Sequence, residues 1–273
     1  MDGYIYYDED IITPTTTRLD GKPKLGAFFN KDGLLMRTYG WLVRNAIGII
    51  VLIHGLNSHA RLTFLRHNVE IVDNSKAILK DENNYYVYEN SWVEHFNNNG
   101  YSVYALDLQG HGLSDGMISF QKIASPRSYK YKYFYLPLIS GFFPTSRFVT
   151  KIGFQKYPYL NDLDKIRSKN GITLKYWHEL LKATSNLEHD MEYIPNDIPI
   201  LLIHSKDDIF CYYKGVLSFF NRLMNDNKEL ITLENMEHGL TTEPGNEMAL
   251  ENIIDWIAKL DTKKEMAEPL EVN

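Results

Sequence analysis

The chain has 273 residues, of which 44% are hydrophobic and 23% are charged, and its net charge at pH 7 is −6. This composition supports a large buried core and excludes a chain that is disordered throughout. The single cysteine, Cys211, excludes a disulfide scaffold, and the negative charge argues against nucleic-acid binding over the whole surface.

The residues from 26 to 116 predict a hairpin followed by a strand–helix–strand unit. Asp32-Gly33 lies between two apolar runs, which is typical of a hairpin turn. The run Ile47–Ile53 is rich in β-branched residues and predicts a buried parallel strand. Ser91 and Glu94 form a capping box at the start of a short helix, and a strand follows over Tyr101–Leu106. The polar stretch 58–90 gives no clear prediction.

The residues from 174 onwards predict further alternation of helices and strands. Helical spacing over 174–183 precedes a buried strand at 198–203, a helix at 212–224, a strand at 229–233 and a terminal helix at 248–260. Together these patterns predict an α/β fold with a mostly parallel sheet and flanking helices.

The segment from Met117 to Asn161 has an unusual composition. It contains seven Lys and Arg residues and no Asp or Glu, and many Tyr and Phe residues are interleaved with the cations. Two interpretations stay open. The aromatic rings pack against the protein while the cations face water, or the rings insert into a lipid surface while the cations meet phosphates.

Targeting signals are weak in this sequence. The N-terminus is acidic and has no apolar signal core. The longest apolar stretch, Ala46–Ile53, is far shorter than the roughly 20 residues of a membrane span. We expect a cytoplasmic protein, with peripheral membrane contact through the basic aromatic segment as an open possibility.

Four sequence blocks resemble the α/β-hydrolase superfamily. They are VLIHGLNSH at 51–59, YALDLQGHGLSDG at 104–116, ILLIHSKDDIFC at 200–211 and MEHGL at 236–240. The nearer resemblance is to the monoacylglycerol lipase and lysophospholipase branch, also described as serine aminopeptidase S33-like, and nearest of all to lysophospholipase-like proteins of apicomplexan parasites. The resemblance implies hydrolysis of a carboxylic ester, in a monoacyl lipid or a small ester, with no cofactor.

The resemblance also implies roles for individual residues. The loop of His54, Gly55 and Leu56 would supply a backbone N–H to an oxyanion hole. Asp208 would be the triad acid and His238 the general base, in the chain order of this fold. Plainer alternatives remain: His54 as a polar strand end, Asp208 as a helix cap with Asp207 as the acid, and His238 as a solvated loop residue.

The nucleophile is missing from this resemblance. The one Gly-x-Ser-x-Gly match, Gly112–Gly116, is not directly preceded by an apolar strand or followed by a helix, so Ser114 is a weak candidate. The family has two further strand–helix units between the positions of Gly116 and Met117, and we interpret the central nucleophile-elbow segment as absent. Cys211 is a weak substitute, and no metal-binding spacing is present.

The resemblance divides the chain into five parts. We predict an N-terminal extension at 1–25, the first part of the core at 26–116, a cap at 117–185, the second part of the core at 186–260 and a polar tail at 261–273. Three functions remain open: an impaired lysophospholipase-like or monoacylglycerol lipase-like enzyme, an active esterase using Ser114, and a non-catalytic protein that binds lipid or a partner.

Overall fold

The structure is a computed structural model that describes residues 20–73, 76–81, 84–116, 147–148, 163–167 and 172–267. The chain divides into two compact units, Met1–Ala183 and Thr184–Asn273. Apart from residues 147 and 148, the basic aromatic segment lies outside the described residues, and so does the extension before residue 20. Predictions that concern those parts therefore remain predictions.

The first unit is built on a four-stranded mixed sheet. Strands β1 (Lys24–Phe29) and β2 (Leu35–Trp41) form the predicted antiparallel hairpin. Strand β3 (Gly48–Ile53) runs parallel to β8 (Tyr101–Leu106), and the strand order is β1-β2-β8-β3. The predicted strand–helix–strand unit is thus confirmed, because helix α2 (Trp92–Asn98) lies between two parallel strands in the chain.

The prediction that β3 is buried is wrong. Its alternate residues Ile49, Val51 and Ile53 are 67%, 61% and 62% exposed. Among the described residues, β3 pairs with β8 alone and forms one edge of the sheet. The strand has the apolar sequence of a central strand, but within the described chain it has no second neighbour. The absence of a neighbouring strand from the chain stays an interpretation.

Helix α2 forms where its capping box predicts, but Glu94 reaches back to the N–H of Asn90 and not to that of the N-cap residue Ser91. The Ser91 hydroxyl accepts a hydrogen bond from the Glu94 N–H at 3.2 Å, and the Glu94 carboxylate accepts one from the Asn90 N–H at 2.6 Å. Trp92, Val93 and Phe96 are buried on one face of the helix. This burial, together with the core of β2 and β8, fixes the polar loops that follow β3 and β8.

The stretch without a prediction, residues 58–90, folds into short elements. Helix α1 (Ala60–Phe64) begins after His59, whose side chain accepts a hydrogen bond from the Leu62 N–H. Four short strands pair antiparallel in two ribbons: β4 (Arg66–His67) with β7 (Tyr86–Val87), and β5 (Val69–Asp73) with β6 (Lys76–Leu79).

The later part of the chain contains the second parallel pair. Strands β11 (Ile200–Ser205) and β12 (Lys228–Leu233) are parallel, and helix α4 (Tyr213–Arg222) lies between them in the chain. The other elements are β9 (Arg147–Phe148), β10 (Ile172–Thr173), helix α3 (Leu174–Asp190), a 3-10 turn at Met191–Tyr193 and helix α5 (Asn246–Ala267). Helix α5 continues seven residues beyond Leu260, where the sequence pattern placed its end. In the described ranges, no helix is both long enough and apolar enough to cross a membrane.

Candidate active site

Asp107 connects three segments of the first unit. It follows β8 directly and is fully buried. Its Oδ1 accepts a hydrogen bond from the Ala60 N–H at 2.9 Å, and its Oδ2 accepts from the Tyr39 hydroxyl at 2.8 Å and from the Leu113 N–H at 2.9 Å. Gly112 is required beside it, because a Cβ at this position would lie 2.1 Å from Oδ2. The carboxylate therefore serves structure rather than proton transfer.

Two buried histidines connect the loop after β3 to the loop after β8. His54 Nε2 accepts from the Leu108 N–H at 2.9 Å, and His111 Nε2 accepts from the Asn57 N–H at 3.0 Å. Burial lowers the pKa of His54 to about 4 and lowers the pKa of His111, so both rings are neutral near pH 7. A neutral ring can use one nitrogen as an acceptor, as both of these hydrogen bonds require.

The loop after β3 leaves two backbone donors unused. Among the described residues, the N–H groups of Gly55 and Leu56 donate no hydrogen bond. Asn57, which follows them, has a φ of +54° and is held by the bond to His111. The loop therefore presents two unpaired backbone amides after a parallel strand, which are donors of the kind that an oxyanion hole uses.

The Ser114 hydroxyl is already used within the first unit. It donates to the Asp107 carbonyl at 2.6 Å and accepts from the Arg37 N–H at 2.7 Å, and the residue is 9% exposed. The surrounding residues form turns and bends, and no helix begins between Ser114 and residue 116, where the described stretch ends. A nucleophile on an elbow needs a strand before it, a helix after it and a free hydroxyl. This geometry opposes a nucleophilic role for Ser114.

Sequence reasoning missed a second buried cluster in the first unit. His59 Nε2 donates to Asp164 Oδ2 at 2.8 Å, and the Tyr86 hydroxyl donates to Asp164 Oδ1 at 2.8 Å. Burial alone would raise the pKa of Asp164, but the hydrogen bond and charge of His59 outweigh it and lower the pKa to about 2. The pair is 105 residues apart in the chain, so no local pattern could have revealed it.

The second unit brings together the predicted acid and base. His238 Nδ1 and Asp208 Oδ2 are 2.8 Å apart. The carboxylate is 5% exposed, whereas the His238 side chain is 51% exposed. Asp207 instead accepts from the Asn235 N–H at 2.6 Å and makes no hydrogen bond to His238 in the described structure. The geometry therefore favours Asp208 over Asp207 as the acid.

The Asp208 carboxylate also organises the turn that follows it. Its Oδ1 accepts hydrogen bonds from the Phe210 N–H at 2.7 Å and the Cys211 N–H at 2.9 Å. Burial opposes the charge of Asp208, but the bonds from His238 and from these amides lower its pKa. The Asp208 and Cys211 side chains in turn raise the pKa of His238 to about 10.

Glu243 holds the loop that carries His238. Its side chain is buried, and its oxygens accept hydrogen bonds from the Gly239 N–H at 2.6 Å and the Glu237 N–H at 2.7 Å. The two amides flank His238 in the chain. The Ser205 hydroxyl, at the end of β11, donates to the Met236 carbonyl of the same loop. Sequence reasoning missed both anchors, since neither lies in a recognised motif.

Asp208, Cys211 and His238 form one compact cluster. One potential ligand atom from each lies within 4.8 Å of the others, and no other group of three or more such side chains is found in the described ranges. Three convergent ligands of these types could hold a metal ion such as Zn²⁺. Here, however, Asp208 and His238 are hydrogen-bonded to each other, so the ring N–H and the carboxylate oxygen are already paired.

Comparisons with known proteins were made at the level of sequence families and of structures. The family described as serine aminopeptidase, S33, matches residues 146–245, which include Asp208, Cys211 and His238. No match is found among curated proteins.

Solved structures match over most of the chain. One is a soluble variant of monoglyceride lipase from Saccharomyces cerevisiae in complex with a substrate analogue, with TM-score 0.65, 15% identity, and coverage of 93% of this chain and 98% of that one. Another is the monoacylglycerol lipase of Paleococcus ferrophilus, with TM-score 0.61, 13% identity, and coverage of 82% and 98%. A third is an α/β-hydrolase from Penicillium sp. sh18, with TM-score 0.52, 14% identity, and coverage of 85% and 96%. The chain has the α/β-hydrolase fold.

Proposed function

We propose that this chain, which has the α/β-hydrolase fold, is a relative of the acylglycerol and lysophospholipid hydrolases that does not use a serine nucleophile. Its ligand would be a monoacyl lipid or a small carboxylic ester. The observation that carries the proposal is the contact between Asp208 and His238, which matches the family's acid and base in kind and order. The motif-level resemblance to apicomplexan lysophospholipase-like proteins is part of the same proposal.

The absence of a serine nucleophile is argued from two observations. The Ser114 hydroxyl is saturated by Asp107 and Arg37. In the second unit, the described residues place no serine hydroxyl in hydrogen-bond contact with the His238 ring. Loss of the nucleophile costs on the order of 10⁶ in turnover in a comparable triad, so ester hydrolysis through serine should be negligible.

A fluorophosphonate probe tests this proposal, because it labels activated serines. We expect no labelling of the purified full chain, and no difference between wild type and the Ser114→Ala variant. Thermal unfolding with and without a monoacylglycerol, below its aggregation concentration, tests ligand binding. Labelling at Ser114 that the substitution abolishes would overturn the proposal in favour of an active esterase. The absence of any lipid-dependent stabilisation would overturn the choice of ligand.

Contact with a lipid surface is a second part of the proposal, and it rests on the composition of residues 117–161. The seven cations of this segment would meet anionic headgroups while its Tyr and Phe rings insert among acyl chains. Sedimentation with vesicles of anionic phospholipid should show binding that weakens as salt rises, whereas neutral vesicles should bind less. Binding that is absent, or independent of salt, would contradict this part.

A further inference from the structure

The carboxylate of Asp208 fixes both other members of its cluster. One oxygen accepts the Cys211 N–H, and the other accepts the His238 ring N–H. The sulfur is thereby held through its own backbone, three residues from the acid, while the ring is oriented across the turn. The positions of Cys211 and His238 are therefore both fixed by one buried carboxylate, so their geometry is set before a substrate binds.

The ring of His238 lies near the sulfur and is hydrogen-bonded to the carboxylate. One side-chain N, O or S atom from each of the three residues lies within 4.8 Å of the others. A base that lies close to a nucleophile and is oriented by a third group has the general arrangement of covalent catalysis.

We propose that Cys211, His238 and Asp208 act as nucleophile, base and orienting acid, and that Cys211 accepts acyl groups from activated esters and thioesters. The three side chains belong to one unit of the fold, so the set is complete without the missing serine segment. The half-exposed ring of His238 and the half-buried Cys211 leave the site open to a small acyl donor. This proposal stands apart from the proposed function, which concerns lipid binding and serine chemistry.

The charge state of His238 supports a thiol in preference to a hydroxyl. Its pKa of about 10 keeps the ring protonated at neutral pH. A protonated ring cannot remove the proton from a serine hydroxyl, but an imidazolium beside a cysteine favours the thiolate, which is the reactive form. The arrangement is therefore suited to a sulfur nucleophile.

The reaction balances with water as the only co-reactant. The thiolate sulfur bonds to the carbonyl carbon of the donor, the bond to the leaving alkoxide or thiolate breaks, and His238 gives that leaving group its proton. Acylation removes the negative charge beside the ring, so the ring gives up its proton more readily and can then act as a base. Water then attacks the acyl carbon, its proton passes to His238, and the carboxylic acid leaves the regenerated thiolate.

A metal site is the competing interpretation of the same cluster. Three ligands to one ion must direct lone pairs towards a common centre. In this structure the His238 ring N–H donates to the Asp208 oxygen. These two groups are therefore bonded to each other and do not direct lone pairs at a common centre. The hydrogen bonding therefore favours the acyl-transfer set.

Alkylation by iodoacetamide tests the activation of the sulfur, because Cys211 is the only cysteine of the full chain. At pH 7, wild type should react about tenfold faster than the His238→Gln variant, in which the sulfur has lost its neighbouring ring. The His95→Gln variant, altered on the exposed face of α2, is the matched control and should follow wild type.

Acyl transfer is measured by incubation with 4-nitrophenyl hexanoate and intact-protein mass analysis. We expect one hexanoyl group per chain, mapped to Cys211 and lost in Cys211→Ala. Circular dichroism verifies that each variant folds. Equal alkylation rates for wild type and His238→Gln, an acyl group elsewhere, or one equivalent of bound zinc that shields the thiol would each overturn the proposal. Lipid-dependent stabilisation of wild type is scored separately, so its failure would count against the proposed function alone.

Discussion

The two units contain polar motif residues that look alike in the sequence and differ in their surroundings. In the first unit, His54 and His111 are buried and neutral, and each ring accepts a backbone hydrogen bond. In the second unit, His238 is half exposed and protonated, and its partners are side chains. Saturation by backbone partners marks residues that hold a loop, whereas exposure and side-chain partners mark residues that are free to transfer protons.

The largest expected effect on the free energy of unfolding comes from the first unit, where the Asp107 carboxylate accepts three hydrogen bonds. The Asp107→Asn substitution places an amide N–H₂ against a backbone N–H or hydroxyl donor in a fully buried site. We expect the free energy of unfolding to fall by about 3 kcal/mol, because a buried donor loses its acceptor. Urea denaturation measures the change, and the exposed Asp32→Asn serves as control. A loss no greater than that of the control would mean that Asp107 does not hold these loops.

The next effect concerns the His59–Asp164 pair and depends on pH. The pKa of Asp164 lies below its ordinary value of 3.8, at about 2. Its contribution is therefore fully present above pH 3.8 and is lost as pH falls through about 2. A shift of this size corresponds to about 2 kcal/mol.

The measurement for Asp164 is a series of urea midpoints from pH 2 to pH 6. The Asp164→Asn variant should start less stable at pH 6 and lose less stability than wild type on acidification. Parallel curves for the two proteins would show that the carboxylate does not titrate as the hydrogen bonds predict.

A smaller effect is expected for Ser114→Ala. The substitution leaves the half-buried Arg37 N–H without its acceptor, so we expect a loss of about 1 kcal/mol in the free energy of unfolding. Hydrolysis of 4-nitrophenyl esters should not change. A large loss of hydrolysis with unchanged stability would reverse the comparison between the units and make Ser114 the catalytic group.

The smallest stability effect, with the clearest spectroscopic signature, is expected for Asp208→Asn. The amide can still accept the Phe210 and Cys211 N–H groups, and the half-exposed His238 can adjust its proton, so stability should change by less than about 1 kcal/mol. The pKa of His238, by contrast, should fall well below 10, because its largest cause is removed.

Nitrogen-detected NMR of the histidine rings checks the effect on His238. Because its folded pKa exceeds the unfolded value of 6.5, its contribution to stability is complete below pH 6.5 and is lost as pH rises through about 10. A His238 ring that titrates near 6.5 in both proteins would contradict the hydrogen-bonded cluster described here.

Local patterns predicted the elements that hold the loops. The capping box of α2, the β-branched run of β3 and the Asp-Gly turn each act within a few residues, and each formed where the sequence indicated. The acid and base came from resemblance; the structure places the two side chains in contact, and their roles stay predictions. The exposure of β3 could not be predicted, because burial depends on a neighbour that the strand's own sequence does not encode.

Contacts between residues that are far apart in the chain could not be predicted from local patterns, for the same reason. The anchoring of His238 by Glu243 and the bond from His59 to Asp164 join polar residues with no periodic pattern. The sequence pattern left Cys211 as a weak substitute for the nucleophile. Its place beside His238 depends on the turn that Asp208 forms with its own backbone neighbours, and such a turn is only weakly signalled by Asp three residues before the cysteine.

The unpaired margin of β3 has a practical consequence for anyone who purifies this protein. At this edge of the sheet, three apolar side chains are exposed: Ile49, Val51 and Ile53. The neighbouring backbone groups have no further strand to bond with in the described chain. Such a margin attracts other extended chains, so concentrated samples should self-associate. The Val51→Lys substitution should keep the protein monodisperse in light scattering without changing the rate at which Cys211 is alkylated.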